Sequence, residues 1–351
     1  MYDVAIIGLG PAGSTLARLL SDSGLKIAAI DRKRLDGGPG FKKPCGGLLS
    51  PGAQRSLAVL GLNLPKDVLV TPQIFSVKTI DAVSGLVRHY QRCFVNVDRH
   101  LFDLWLASLI PDSVDIIDQA RCRSLTFNDG CFTINFIQKH QEAHCLRARL
   151  VVGADGSASI VRRTFAPLSI RRYVCIQHHF RAETFDEPYA CFFDERLTDC
   201  YGWINHKDGL KTLGMALPRQ EPGRRFETAK ETLRQFGYDF DRRPLAAEAC
   251  LVSRPEFLHQ ITAGRHPGIF LAGEAAGFCS PSSLEGFSYA FDSARLLGQA
   301  LARGGPDTLE YYSRSLWPLR LKIMARLFKV PFMYAPPLRR LVMKSGLDSI
   351  S

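Results

Sequence analysis

A strand that runs directly into a glycine turn and then a helix start constrains this chain more than any other feature. Residues 4–14 read Val-Ala-Ile-Ile-Gly-Leu-Gly-Pro-Ala-Gly-Ser, the G-x-G-x-x-G dinucleotide fingerprint at Gly8, Gly10 and Gly13. Gly8 suits the tight turn, Gly10 lets the backbone approach a pyrophosphate, and Gly13 lets the helix pack close to the strand. The helix N-terminus offers unpaired N–H groups and a positive dipole end to phosphates. A second strand, Lys26-Ile-Ala-Ala-Ile30, ends at Asp31, 18 residues beyond Gly13. An acid at that distance holds a ribose hydroxyl. A lone fingerprint is a weak signal, but here strand, turn, helix, second strand and acid fall in the required order.

The 351 residues suffice for one large or two interwoven domains. A hydrophobic content of 46% and a charged content of 23% are ordinary for a globular protein. The net charge of +11 points to acidic partners: nucleic acid, anionic lipid or a phosphorylated substrate. No nucleic-acid motif is present and the Lys and Arg residues are scattered, so nucleic acid is not an expected partner. Met1-Tyr-Asp leads straight into the first strand, so no signal peptide is expected, and no apolar run reaches the length of a membrane span. The ten cysteines form no C-x-x-C pair and no His/Cys cluster with zinc spacing. Reduced thiols, no metal site and a cytoplasmic location are the expectation, with peripheral contact to an anionic membrane as an option.

Residues 35–52 are dense in Gly and Pro and read as a long ordered loop, a kind that is usually functional in compact domains. Helices are predicted over 54–60, 99–109, 224–236 and 286–302. Strands are predicted over 74–80, 87–94, 121–127, 131–137, 145–152, 173–181, 189–194, 200–206, 210–217 and 269–273. The turns Asn128-Asp-Gly130 and Lys207-Asp-Gly209 suit tight hairpins. There is one fingerprint, and strand-rich blocks interrupt the nucleotide region instead of following it. The expected division is a discontinuous nucleotide domain over 1–72, 96–170 and 262–310, a sheet domain over 73–95 and 171–261, and a basic helical segment over 311–351. In that last segment, apolar residues at 316, 319, 323, 327 and 330 accompany Arg320, Lys322, Arg326 and Lys329. Such a helix either lies on anionic lipid or packs on the nucleotide domain with a solvated basic side. Pro331 and Pro336-Pro337 are expected to end it.

Three further segments extend the fingerprint: Val151-Val-Gly-Ala-Asp-Gly-Ser-Ala-Ser-Ile-Val-Arg-Arg163, Ile269-Phe-Leu-Ala-Gly-Glu-Ala-Ala-Gly-Phe278 continuing to Glu285-Gly286-Phe-Ser-Tyr-Ala290, and Val97-Asp-Arg-His-Leu-Phe-Asp-Leu-Trp-Leu106. They resemble the D-G, G-D and R-x-x-F-D-x-x-L motifs of single-Rossmann flavoproteins of the aromatic-hydroxylase type. Lys43-Pro-Cys-Gly-Gly-Leu48 resembles the P-C-G-G loop of the geranylgeranyl reductase family, and within it the chain is most similar to the CbrA-like bacterial branch. Tyr201-Gly-Trp-Ile-Asn-His-Lys207 is similar to the family's Y-x-W-x-F-P-K lipid-pocket motif. It carries Asn205 and His206 where Phe and Pro are expected, which argues against a purely apolar prenyl pocket.

The resemblance implies an α/β (α+β) fold: a Rossmann-like FAD-binding domain, an interleaved mixed or antiparallel substrate sheet and a C-terminal helical segment. It implies FAD, with Gly8, Gly10 and Gly13 at the pyrophosphate, Asp31 at the adenosine ribose and Arg99 at a phosphate. Cys122 corresponds to a position whose backbone meets the adenine, and Glu274 replaces the family's Asp near the ribityl chain. Gly286 and Phe287 would open a helix toward the flavin carbonyls, and Cys45, Gly46 and Gly47 would line the ring. Asp155 would either contact the cofactor or tie its own loop together. Cys45 is the candidate catalytic residue, as a proton donor, against the alternative of a small residue where bulk would clash. Tyr201 and Trp203, two apart on a strand, share one face and are expected at the substrate, together with His178. His179 then takes the other face. The implied reaction is reduction of a carbon–carbon double bond in an isoprenoid or related lipid, with NAD(P)H as a transient donor or another reductant in its place. The alternatives are an aromatic-hydroxylase-type monooxygenase and a flavoprotein that oxidises a partner protein.

Overall fold

The computed structural model describes residues 1–138, 142–182, 189–240 and 243–346. The first third runs β1 (Tyr2–Ile7), α1 (Pro11–Leu20), β2 (Ile27–Ile30), β3 (Leu48–Leu49), α2 (Pro51–Val59), β4 (Ile74–Asp81), β5 (Leu86–Asn96) and α3 (Arg99–Ser108). It continues through β6 (Val114–Ile117), β7 (Arg121–Asn128), β8 (Cys131–Gln138), β9 (Glu142–Gly153), α4 (Ile160–Phe165), β10 (Arg171–Arg181), β11 (Tyr189–Phe193), β12 (Gly202–Lys207) and β13 (Leu210–Leu217). The remainder is α5 (Pro222–Arg234), β14 (Ala246–Arg254), β15 (Ile269–Leu271), α6 (Phe287–Arg303), α7 (Thr308–Ser315), α8 (Trp317–Tyr334) and α9 (Pro336–Lys344).

Two sheets organise these elements. In the first, β6, β2, β1, β9 and β15 lie parallel in that order. β1 and β2 are continuous apolar runs because both faces of a parallel sheet are covered. β9 is long enough to use one edge twice. Its first half pairs antiparallel with β8, and its last residues pair with β15. The chain leaves β1 in one direction and reaches β9 in the other. The crevice at the carboxyl ends of these two neighbouring strands is where open α/β sheets bind ligands.

The second sheet has the order β14-β10-β13-β12-β11-β4-β5-β3, antiparallel except where β11 meets β4. One of its faces buries Phe180, Phe192, Ile204, Leu213 and Met215 under Phe226, Ala229 and Leu233 of α5. The other face carries Tyr173, Cys175 and Trp203, with Tyr334 of α8 packed against them. Both predicted hairpins form, with Asp129 and Gly130, and Asp208 and Gly209, in the left-handed region that such two-residue turns need.

Two sequence expectations need correction. No strand was expected over Ala246–Arg254, yet it closes the second sheet beside β10. Its sequence lacks a clean apolar–polar alternation because much of this edge strand is exposed. Nor does Pro331 end α8. The helix runs on to Tyr334, and Pro331 lies on its exposed side, where the loss of one backbone donor is tolerated. The break comes at Ala335, whose extended backbone is the conformation preferred before Pro336.

The C-terminal pair of helices is fastened by buried charge. Arg339 donates to Asp81 at 2.8 Å and to Glu195 at 2.8 Å, and Arg340 reaches the same carboxylates at 3.3 and 2.6 Å. Asp81 is fully buried. Arg339→Met should therefore cost about 3 kcal/mol in urea denaturation, because it leaves a buried carboxylate short of its main partner. Adding Asp81→Asn to that variant should restore part of the loss.

Candidate functional site

The fingerprint glycines do two different jobs. A Cβ on Gly8, whose φ is +100°, would stand 2.6 Å from the Ala154 carbonyl oxygen, and one on Gly13 would stand 1.8 Å from the Gly8 oxygen. These two positions let β1, α1 and the end of β9 touch. Gly10 is the reverse: a Cβ there meets no atom within 4 Å. It begins α1 with no side-chain cap and no acidic residue in the first turn, the arrangement of an anion-binding helix N-terminus.

Asp31 lies at the end of β2, as expected, but its carboxylate is already engaged. It accepts the Leu9 N–H at 2.5 Å and the Lys33 N–H at 2.7 Å, so it pins the fingerprint turn. Lys33 donates to the Leu9 carbonyl at 2.7 Å and to Asp103 at 3.1 Å. Arg99 donates to the other Asp103 oxygen at 2.7 Å. Burial pushes the Asp103 carboxyl up, but Arg99 and Lys33 outweigh it and hold it below the ordinary range. Burial works against the Arg99 cation, yet Asp103 and then Cys45 raise its pKa. The guanidinium also sits 4.8 Å over the Phe287 ring at the start of α6. Lys33 and Asp103 were not picked out from sequence. Asp103 is the acid of the R-x-x-F-D-x-x-L segment, four residues after Arg99, whereas no sequence signal marked Lys33.

On the β9 side, Asp155 accepts the Ile160 N–H at 2.7 Å through Oδ2. Its buried Oδ1 has no partner among the described residues, and burial raises its pKa. Cys122 lies beside it in β7, where burial, with Asp155 adding, pushes the thiol up to about 12 and keeps it neutral. Glu274 accepts the Ser253 N–H of β14 at 2.7 Å and Lys43 Nζ at 3.2 Å, joining the two sheets to the 43–47 loop. Gly286 begins α6 without a side-chain cap, and a Cβ there would meet nothing within 4 Å. Glu285, which sequence reasoning passed over, accepts the Ser288 N–H at 2.7 Å in that first turn.

The 45–47 loop faces the second sheet. Cys45 Sγ accepts the Gly47 N–H at 3.4 Å. Gly47 has a φ of +63°, and a Cβ on it would stand 2.2 Å from Lys207 Nζ and 2.3 Å from the Val97 oxygen. Lys207 donates to that oxygen at 2.6 Å, and burial draws its pKa down to about 8. Asn205 donates to the Gly46 carbonyl at 3.0 Å. The polar residue that departs from the lipid-pocket motif thus holds the loop to the sheet.

Tyr201 and Trp203 share the face toward this loop, as expected. Tyr201 donates to the Ser283 carbonyl at 2.8 Å. The Trp203 indole leans over Gly214, where a Cβ would stand 2.3 Å from the ring, and its Nε1 lies 3.7 Å from the Cβ position of Gly46. Gln177, Gly214 and Trp203 form one row across β10, β13 and β12. The indole N–H, both Gln177 amide atoms and Asn205 Oδ1 are buried with no partner among the described residues. His178 is not part of this face. Its ring lies 4.6 Å from Phe226 under α5, because strand alternation and the position of α5 turn it the other way. The residue on the Trp203 face is His179, hydrogen-bonded to Thr212 at 2.8 Å.

No protein-family profile matches the chain. Protein CbrA from Escherichia coli is 45% identical over 351 residues, covering 99% of this chain and 94% of that relative. A geranylgeranyl bacteriochlorophyll reductase-like protein from Thermoplasma acidophilum superposes with a TM-score of 0.79 at 18% identity, over 100% of this chain and 93% of that one. The flavin-dependent halogenase CmlS gives a TM-score of 0.69 at 18% identity, over 93% of this chain and 63% of that one. The two structural likenesses establish the expected Rossmann-like fold with its sheets and C-terminal helices.

Lys207 supplies a test of the site's electrostatics. Its ordinary pKa is 10.5, and the folded value is about 8. Between these pH values the unfolded chain keeps a proton that the folded chain has released, so this residue makes stability rise with pH across that window. Denaturant titrations at pH 7 and pH 9.5, two conditions that bracket the folded value, should show the stability of the wild type rising relative to that of Lys207→Met. The same change with pH in both proteins would rule out a contribution from Lys207.

Proposed function

The chain belongs to the CbrA family, and we propose that it is an FAD-dependent oxidoreductase that reduces a carbon–carbon double bond of an isoprenoid or related lipid carrying a polar group. One observation carries this reading. The 45–47 loop joins the dinucleotide crevice of the first sheet to a sheet face bearing an aromatic wall and a few unpartnered polar atoms. Sites for small molecules are built in this way, mostly apolar with a few placed polar groups.

The residues fit a dinucleotide cofactor. Gly10 and Gly286 leave open space at two helix starts, the first without a side-chain cap and the second with one N–H taken by Glu285, and the buried Asp155 Oδ1 has no partner among the described residues. Gly8, Gly10 and Gly13 would hold the pyrophosphate, with Arg99 and Lys43 as nearby cations. Asp31 would act on the ribose through lone pairs left over from its backbone bonds. When bound, FAD supplies hydride transfer. Cys45, Gly46 and Gly47 would border its ring, and Trp203 and Gln177 would orient the substrate from the opposite wall. Lys207, at the end of β12 beside this loop, holds its proton below about pH 8.

Anaerobically reduced protein mixed with polyprenyl lipids should be reoxidised and yield a saturated product. No reoxidation by lipid, together with an oxygenated product under air, would favour the monooxygenase alternative and overturn this reading. Gly10→Val should lose flavin absorbance and match the melting temperature of the flavin-free wild type, since no protein atom stands near. Trp203→Ala and Gln177→Leu should retain flavin while substrate binding weakens roughly 5- to 100-fold, the effect of removing a hydrogen bond or packing surface from a buried site.

A further inference from the structure

Helix α8 has two apolar faces, and one of them is unpacked. Leu319 and Ile323 are buried, Leu327, Val330 and Met333 are partly buried, and Tyr334 joins the core around Trp203. These are the positions whose spacing stands out in the sequence. A second stripe consists of Trp317, Leu321, Met324, Phe328 and Phe332, which are 54%, 51%, 37%, 72% and 43% exposed. With about 3.6 residues per turn, the five fall within an arc of about 80°, opposite the packed face. The same period places Lys322 and Lys329 about 60–80° beyond one edge of the stripe and Arg320 about 40° beyond the other. Arg326 lies on the packed side, near Tyr289 and Glu285. Between Trp317 and Lys344 the chain has seven Lys and Arg residues and no Asp or Glu; Arg339 and Arg340 pair with Asp81 and Glu195, and Lys322 reaches Asp292 at 3.3 Å. Arg92 of β5 adds to the positive potential around Lys329.

We propose that α8 rests in the plane of an anionic lipid bilayer, with the Trp317, Leu321, Met324, Phe328 and Phe332 stripe in the headgroup region and the basic shoulders over the anionic headgroups. An exposed apolar stripe flanked by cations is the pattern of an interfacial helix, and each basic residue near such a surface adds attraction. A second copy of the chain fits this face less well. A two-fold contact through the stripe, with the helices antiparallel, would bring Lys322 and Lys329 of one copy close to the same residues of the other. The contact is peripheral, because no helix among the described residues is long and apolar enough to cross a membrane. The proposal stands on the surface of α8 and does not depend on the lipid-reductase reading. If both hold, the packed side of the same helix places the Trp203 wall next to the bilayer.

Flotation of the full, flavin-loaded chain with vesicles tests this directly. Binding is expected to phosphatidylcholine vesicles containing phosphatidylglycerol, but not to phosphatidylcholine alone, and it should weaken as salt is raised. Phe328→Glu with Leu321→Glu, and separately Lys322→Gln with Lys329→Gln, should each weaken binding roughly tenfold or more, with circular dichroism and flavin content unchanged. Absence of binding to either vesicle, or equal binding to both that ignores the charge variants, would overturn the proposal. A dimer in analytical ultracentrifugation that Phe328→Glu dissolves, without vesicle binding, would assign the stripe to a second copy. Double-bond reduction is read from products in detergent and is unaffected by these outcomes.

Discussion

Four buried charges hold the turn on which the rest of the site depends. Asp31 grips the Leu9 N–H from the end of β2, Lys33 grips the Leu9 carbonyl, and Asp103 of α3 joins Lys33 to Arg99. Two carboxylates and two cations sum to zero, so the group can be desolvated together where any one member alone could not. The turn between β1 and α1 therefore has a fixed shape, and Gly10 keeps an open side in a region where nearly every neighbour is buried. The same network reaches Phe287 through Arg99, which links the fingerprint turn to the first residue of α6. The starts of α1 and α6 are thus referenced to one rigid cluster.

The second sheet is attached to that cluster by a small number of polar bonds. Asn205 holds the Gly46 carbonyl, Lys207 holds the Val97 carbonyl beside Gly47, and Glu274 joins Lys43 to β14. Gly47 is needed here on two grounds, a left-handed backbone and the approach of the Lys207 ammonium. The 45–47 loop therefore takes its position from the first sheet and its orientation from the second. A substitution at Asn205 would act on the loop before it acted on any substrate.

What the sequence disclosed follows from the range of each interaction. The fingerprint, the two hairpin turns and most strands were legible because they are set by residues a few positions apart. The Lys33 and Asp103 pair spans 70 residues, and although Asp103 stands in the R-x-x-F-D-x-x-L segment with Arg99, nothing local marked Lys33 as its partner. The two adjacent histidines were seen to face opposite ways, but which one α5 would cover is decided by tertiary packing. The periodicity of α8 exposed one apolar stripe, while the second needed the packed face to be known before it stood out. β14 was missed because an edge strand with exposed residues on both faces leaves little alternation to read.

The row of Gln177, Gly214 and Trp203 bears on what the chamber holds. A buried polar atom without a partner costs about 1–3 kcal/mol, and this face retains the indole N–H, both Gln177 amide atoms and Asn205 Oδ1 in that condition. A chamber shaped for hydrocarbon alone would be more stable with apolar residues at these positions. Asn205 is accounted for by its hold on Gly46, but the Gln177 amide has no hydrogen-bond partner among the described residues. Gly214 removes the side chain that would otherwise exclude the indole from its place above the row. A ligand offering both a donor and an acceptor would pay back the desolvation of Gln177, whereas a saturated or unsaturated chain alone would not. A ligand whose polar function lay against this row beside an apolar part would satisfy Gln177, which a prenyl tail alone would not.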